Sequence, residues 1–273
     1  MTHLFSLNLI SLILYALATM AYLASFTMTA AQEQMKKNIG LASYILATVF
    51  ASLVLFFTIQ DALHRPTLLF LACCVAWLAL IGYWRFRIDI IGSLTSPVLV
   101  VLLLLELFSK KTQLNDVTAT YSLLAFVHIS LSIIGQAFAI VASALALRYL
   151  WLQRILKNKI LNQLKEGDPS LGKLDRHLHL SLWVGFIFIT FGLVTGAAFL
   201  HLLALDSIDI NLISKTIWAL IVWCWYLIIL LARNTFGLPT RRVAELSVLG
   251  FFLLAIAFFG IFFVIDFASW GAL

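Results

Sequence analysis

The sequence predicts an all-α, polytopic membrane protein with about eight transmembrane helices. Hydrophobic residues make up 63% of the 273 residues and charged residues only 11%, whereas soluble domains are about 45–50% apolar and about 25% charged. Apolar runs close to the ~20 residues that a helix needs to cross a bilayer recur along the chain. These observations exclude a water-soluble globule, a disordered protein and a collagen-like fibre.

Eight apolar segments are the predicted spans, chosen for lengths near ~20 residues. In chain order they are approximately Leu4–Ala30, Ile39–Gln60, Pro66–Trp84, Ile91–Ser109, Thr120–Trp151, Leu180–Leu205, Ile213–Ala232 and Val243–Phe267. The third and fourth spans are the shortest, and the polar residues Arg85, Arg87 and Asp89 separate them. With only one sizeable loop in the series, the expected organisation is a single integral membrane domain, 1–273.

The distribution of Lys and Arg predicts the orientation of the spans. The segments that follow the first, third, fifth and seventh spans contain 14 of the 18 Lys and Arg residues, and the opposite side contains 4. Because cytoplasmic loops carry the excess of basic residues, this side is predicted to be cytoplasmic and both termini outside. The net charge of +6 therefore needs no nucleic-acid partner. No basic residue precedes the first apolar run, so we expect no cleaved signal peptide.

The sizeable loop, at 148–180, lies on the predicted cytoplasmic side and continues the fifth span. Leu or Ile occupies positions 152, 156, 160 and 164, with cationic residues between them. This spacing predicts an amphipathic helix along the membrane surface, which the Gly-Asp-Pro sequence at 167–169 ends. Two interpretations stay open: a solvated linker that sets topology, or a surface at Arg148–Lys165 that docks a membrane or cytoplasmic protein.

Three histidines are the candidate ligands, and all lie at or near the predicted outer face. His64 follows the second span, His128 lies within the fifth and His201 lies near the end of the sixth. Two imidazoles facing each other in an apolar pocket would suit haem iron, whereas zinc needs three or four closely spaced ligands. The alternative is that each histidine lies at the interface or hydrogen-bonds between helices.

Aromatic and glycine residues mark two further features of the predicted bundle. Trp218 and Trp223 belong to an aromatic cluster in the seventh span, and Trp223 lies too near its middle for an interfacial belt. The cluster either packs in the core or forms a flat wall for a ring ligand. Gly192 and Gly196 form a G-x-x-x-G sequence, which we assign to helix packing within one chain rather than to dimerisation.

Four segments follow one another through the second half of the chain. They are HISLSIIGQAFAIVASALALRYLWLQRILK from His128, PSLGKLDRHLHLSLWVGFIFITFGLVTGAAF from Pro169, SKTIWALIVWCWYLIILLAR from Ser214 and RRVAELSVLGFFLLAIAFFGIFF from Arg241. As an ordered set they resemble the cytochrome c assembly family, the CcsA, CcmC and HemX-like membrane proteins. The resemblance extends over approximately 120–267.

The resemblance implies haem handling near the outer face of a bacterial inner (cytoplasmic) membrane, with haem b as the expected ligand. His128 matches the family histidine that ligates haem on the outer side. His201, or less directly His64, would supply the second axial ligand to the iron, and Trp218 and Trp223 would line the pocket. We expect no enzyme activity, because no Walker A, GxSxG or HExxH motif is present.

The chain departs from the haem-delivering members of that family at two places. The segment LALDSIDINLIS, at 203–214, contains no tryptophan where those members have a tryptophan-rich (WWD) segment. The last residues, IDFASWGAL, contain no histidine after the final span. The predicted span number and outside termini are similar to the HemX-like branch. The alternative expectation is an accessory or regulatory protein that acts by protein contacts, in haem biosynthesis or on a membrane complex, without bound haem.

Overall fold

The computed structural model describes residues 2–25, 30–60, 67–86, 90–108, 119–159, 169–203 and 210–270, and these residues form eight helices. In chain order the helices are α1 Thr2–Ser25, α2 Ala30–Gln60, α3 Thr67–Phe86, α4 Ile90–Phe108, α5 Ala119–Lys157, α6 Leu171–Leu203, α7 Ile210–Phe236 and α8 Thr240–Trp270. The predicted all-α class is confirmed. Among the described residues, six helices carry stretches long and apolar enough to cross a membrane, and the apolar stretch of α4, Gly92–Leu107, is shorter.

Two helices begin well before their predicted spans because polar turns precede the apolar run. Helix α2 begins at Ala30 rather than Ile39, and its polar turns contain a 3.0 Å ion pair between Lys37 and Glu33, four residues apart on one face. Helix α6 begins at Leu171 rather than Leu180. The Ser170 hydroxyl oxygen caps it by accepting a 3.2 Å hydrogen bond from the Lys173 amide.

The structure describes only the first part of the predicted surface helix after the fifth span. Helix α5 is continuous only to Lys157, and Asn158 and Lys159 then form a turn. Lys159 has a φ of 58°, a left-handed conformation that ends a helix, and its amide donates to the Leu156 carbonyl at 3.2 Å. The rest of the predicted helix falls at 160–168, outside the described residues.

The chain packs as two units, 1–117 and 118–273. In the first unit α1 packs on α2 and α4, and α3 packs on α4. Its interior contains buried hydrogen bonds from Tyr15 to Thr48, at 3.0 Å, and from Tyr44 to Thr95, at 3.1 Å. The two tyrosine rings meet edge to face with centroids 5.3 Å apart, so aromatic and hydroxyl groups together hold three helices of this unit.

The second unit is built around α5, which packs on α6 and α8, while α7 packs on α8 and α6. The contact between α5 and α8 includes the buried Ser143 hydroxyl, which lies 3.1 Å from the Ser247 carbonyl oxygen. This unit contains the described members of the predicted histidine and tryptophan site, His128, Trp218 and Trp223.

Candidate functional site

Helices α5 and α6 approach each other along a glycine-lined seam. A Cβ atom added to Gly135 of α5 would lie 2.6 Å from Ile189 Cγ1 and 2.9 Å from the Ile189 backbone nitrogen. A Cβ added to Gly192 of α6 would lie 2.6 Å from the Ser132 hydroxyl oxygen. Since there is no room for these side chains, the glycines allow the close approach. The prediction that Gly192 packs within the chain is confirmed.

His128 lies on this seam with its imidazole against the backbone of α6. Its Nδ1 is 2.8 Å from the Gly192 carbonyl oxygen, and a Cβ added to Gly196 would lie 2.6 Å from His128 Cε1. A carbonyl oxygen only accepts hydrogen bonds, so Nδ1 carries the proton and donates. In the neutral imidazole, Nε2 then holds the lone pair.

This arrangement fits both roles left open by the sequence: a histidine that hydrogen-bonds between two helices, and a histidine that ligates a metal. Such histidines donate their other ring N–H to a carbonyl or carboxylate group, which fixes the tautomer and the orientation of the ring. His128 is partly buried, and its Nε2 makes no hydrogen bond to any described residue. The side chain therefore fits an axial ligand of haem iron, which neutral histidine commonly provides.

A metal ion held by protein side chains alone has less support. Within the described ranges, no group of three or more His, Cys, Asp and Glu side chains is arranged to hold a metal ion. A single oriented histidine suits a ligand such as haem, whose porphyrin already supplies four of the six iron ligands.

The two other predicted histidines lie beyond the described side chains. His64 is outside the described residues, and His201 belongs to the last turn of α6 with its side chain outside them. Position 201 is five residues past Gly196, about 140° further around the helix. The face of α6 that contacts His128 therefore does not include position 201.

The two predicted tryptophans lie on α7, where both are partly buried. Trp223 packs on α6: its indole N–H donates to the Thr190 hydroxyl at 2.9 Å, and its ring stacks on Phe186 with centroids 5.7 Å apart. Thr190 and Gly192 are two residues apart, about 200° around the helix. Trp223 and His128 therefore contact different sides of α6, and the contacts of Trp223 favour the core-packing interpretation.

A polar cluster at the opposite end of α6 was not predicted. Asp175 of α6 pairs with Arg233 in the last turn of α7 at 2.7 Å, and the Trp183 indole N–H donates to His179 Nε2 at 3.2 Å. The four-residue spacing of His179 and Trp183 was visible in the sequence. The pairing of Asp175 with Arg233 was not visible in the sequence, because it depends on how α7 packs on α6.

Comparison with known proteins places nearly the whole chain in one protein family. The profile of the family described as "Cytochrome C assembly protein" matches residues 5–268, a longer stretch than the predicted 120–267. The inner membrane protein YpjD of Escherichia coli (strain K12) is 29% identical over 174 residues, covering 62% of this chain and 63% of that protein.

Two further relatives carry other names. The cytochrome c biogenesis protein CcsA of Chlamydomonas reinhardtii is 26% identical over 204 residues, covering 71% of this chain and 56% of that protein. The protein HemX of Brevibacillus brevis is 24% identical over 260 residues, covering 92% of this chain and 93% of that protein. The chain thus spans less than two thirds of the length of YpjD and of the C. reinhardtii CcsA, and nearly all of HemX.

Proposed function

This chain belongs to the cytochrome c assembly protein family, and we propose that it is a non-enzymatic membrane protein that binds or passes haem near the outer face of the bacterial inner membrane. It is a multi-pass membrane protein, with six candidate spans among the described residues. The similarity to the E. coli inner membrane protein YpjD supports the choice of membrane. The excess of basic residues on one side supports outside termini.

The observation that carries the proposal is the hydrogen bond from His128 Nδ1 to the Gly192 carbonyl oxygen. It holds the imidazole in the tautomer whose Nε2 is available to a metal. His128 lies near the start of α5, which is the outer end in the predicted orientation. A neutral histidine that served only to join two helices would make the same bond, so the haem content of the variants described below decides between the two roles.

In the proposed site, His128 would hold haem together with His201 or, less directly, His64. Position 201 is about 140° around α6 from Gly196, so separate variants are needed to choose between His201 and His64. Bound haem would supply an iron with two axial positions and a large apolar ring that the membrane interior accommodates. Trp218 and Trp223 are proposed as aromatic neighbours on α7. Thr190, the partner of Trp223, and position 201 are eleven residues apart, about 20° beyond three full turns. They are also about 16 Å apart along the helix axis, so Trp223 lies on the same side of α6 as position 201 but three turns away from it.

The test is an absorption spectrum of the detergent-purified protein, expressed with haem precursor and recorded oxidised and reduced. We expect a Soret band with sharp reduced α and β bands, which six-coordinate haem gives. The His128→Ala variant should lose most of the haem, and separate His201→Ala and His64→Ala variants assign the second ligand. His179→Ala, at the opposite end of α6, is the matched control and should keep its haem.

Two outcomes would contradict this proposal in different ways. Unchanged haem content in His128→Ala would show that haem binds elsewhere than at His128 of α5. The absence of a Soret band from the wild-type protein, even after added haemin, would reject haem binding altogether.

The second candidate function is that of an accessory protein acting through protein contacts without haem. The observation that favours it is the exposed basic end of α5, where Lys157 and Lys159 point away from the packed core. Replacing Lys157, Lys159 and Lys165 together with Gln should abolish a co-purifying partner identified by mass spectrometry. An unchanged set of partners would reject this function.

A further inference from the structure

A basic pocket lies where α5 ends and α8 begins, at the opposite end of α5 from His128. Its volume is about 490 Å³, within the range of small-molecule sites. Helix α5 contributes Trp151, Arg154 and Lys157 to its lining, and α8 contributes Arg241 and Glu245. The proposed haem site uses none of these residues.

The charges in the pocket are unbalanced. Arg241 Nε is 2.9 Å from Glu245 Oε1, and both side chains are about half exposed. Arg154 and Lys157 are exposed and make no ion pair with any described residue. Among the described lining residues, three cations therefore face one carboxylate, and one of the three, Arg241, already pairs with it.

The pocket lies at the depth of the membrane–water interface. The apolar run of α8 begins at Val243, directly after the basic first turn that contains Arg241. Trp151 is 38% exposed, with the Arg148 guanidinium 4.0 Å above its ring. Tryptophan and basic side chains concentrate at the headgroup level, and basic pockets between helices there bind anionic headgroups.

We propose that this pocket binds a phosphate group, either that of an anionic lipid headgroup or that of a soluble phosphate compound. The guanidinium groups of Arg154 and Arg241 and the ammonium group of Lys157 can all donate hydrogen bonds to the unesterified oxygens of one phosphate group. The Gln153 amide, also in the lining, adds a neutral donor. Glu245 competes with the phosphate for Arg241 and lowers the affinity of the pocket.

The experiment measures binding to the full-length protein in neutral detergent by titration calorimetry, using three probes. The probes are short-chain phosphatidylglycerol, short-chain phosphatidylcholine as the zwitterionic control, and inorganic pyrophosphate. The double variant Arg154→Gln/Lys157→Gln should weaken binding of the anionic probe by about fivefold for each cation removed. Glu245→Gln should strengthen it several-fold, which a variant damaged in folding could not do.

Arg242→Gln is the matched control, because Arg242 is an exposed neighbour of Arg241 that does not line the pocket. It should bind the anionic probe as the wild type does. Binding of phosphatidylglycerol without pyrophosphate supports a lipid headgroup, and the reverse supports a soluble phosphate. An equal loss in Arg242→Gln, or no preference for phosphatidylglycerol and pyrophosphate over phosphatidylcholine, would overturn the proposal.

Discussion

His128 and Gly192 are joined by a 2.8 Å hydrogen bond between a ring nitrogen on α5 and a backbone carbonyl on α6. The Thr195 hydroxyl lies 3.0 Å from the same carbonyl oxygen, but its shorter hydrogen bond, at 2.8 Å, goes to the Phe191 carbonyl oxygen. An orienting partner of this kind does not change when neighbouring side chains are replaced, because it belongs to the backbone. The orientation of His128 therefore depends mainly on the room for its imidazole ring beside Gly192. Gly196 leaves that room because it has no side chain.

Replacing Gly196 with Ala is expected to weaken haem binding without removing any ligand. The new Cβ would lie 2.6 Å from His128 Cε1 and 2.9 Å from Nδ1, so the imidazole must swing away and its bond to Gly192 breaks. Loss of such an orienting partner lowers metal affinity by about 10–100-fold. Titration of the haem-depleted protein with haemin, followed at the Soret band, measures this.

The control for that experiment is Gly185→Ala, which strains the same seam without touching the imidazole. Its Cβ would lie 3.1 Å from Phe138 Cβ and 3.3 Å from the Gly135 carbonyl oxygen. This variant should lose stability, by about 1–3 kcal/mol for an overpacked core, and bind haemin like the wild type. Equal losses of haemin affinity in the two variants would mean that Gly196 acts through helix packing alone.

Much of the helical architecture could be predicted from the sequence, because an apolar run of ~20 residues is a strong and local signal. The ends of the helices could not be predicted in this way, because polar turns continue a helix without adding to its hydropathy. The Lys37–Glu33 pair and the Ser170 cap extend α2 and α6 in this way. Conversely, the turn at Lys159 interrupts a regular spacing of apolar residues that predicted a longer helix.

The candidate site was predictable in part, for a different reason. The position of His128 near Gly192 and Gly196 follows from two consecutive helices with a small-residue motif on one of them. The tautomer of His128 could not be predicted, because it depends on which backbone atom lies within 3 Å of the ring. The role of Trp223 also could not be predicted, because the rotation of α6 about its own axis decides whether Thr190 faces the indole N–H.

The predicted orientation has a direct test in single cysteine residues placed in a variant without Cys73, Cys74 and Cys224. Asn158→Cys lies at the exposed end of α5 and Ser214→Cys lies at the exposed start of α7. A membrane-impermeant maleimide added to spheroplasts should label Ser214→Cys, and it should label Asn158→Cys only after lysis. Labelling in the opposite order would put the basic side outside and move His128 to the cytoplasmic end.

The ion pair between Asp175 and Arg233 should couple α6 to α7. Its two atoms are 2.7 Å apart, and the side chains of Asp175 and Arg233 are only 29% and 18% exposed. Partial burial reduces screening, so a double-mutant cycle with Asp175→Asn and Arg233→Gln should give a coupling of about 1 kcal/mol. Denaturant titration of the purified protein, followed by tryptophan fluorescence, provides the four stabilities.

The Arg241–Glu245 pair is the reference for that cycle, since it has a similar length of 2.9 Å but is about half exposed. A pair four residues apart on an exposed helix face contributes about 0.3–0.5 kcal/mol. A coupling at Asp175–Arg233 no larger than this reference would show that solvent screens both pairs alike, and that α7 is held by apolar contacts.

The Tyr15–Thr48 hydrogen bond in the first unit should respond differently to loss of each partner. The Thr48 hydroxyl donates its one proton to the Tyr44 carbonyl oxygen at 2.8 Å, so Tyr15 must be the donor in the 3.0 Å bond between the hydroxyls. Thr48→Val leaves the buried Tyr15 hydroxyl without an acceptor and should cost about 1–3 kcal/mol of unfolding free energy. Tyr15→Phe removes the donor itself and should cost less, about 0.5–1.5 kcal/mol.

Thr19→Val is the matched control. Among the described residues, the Thr19 hydroxyl bonds only the Tyr15 carbonyl of its own helix, at 2.8 Å, so this variant should have nearly the stability of the wild type. If Tyr15→Phe is the more damaging change, the ring position rather than the hydroxyl pair stabilises the contact between α1 and α2.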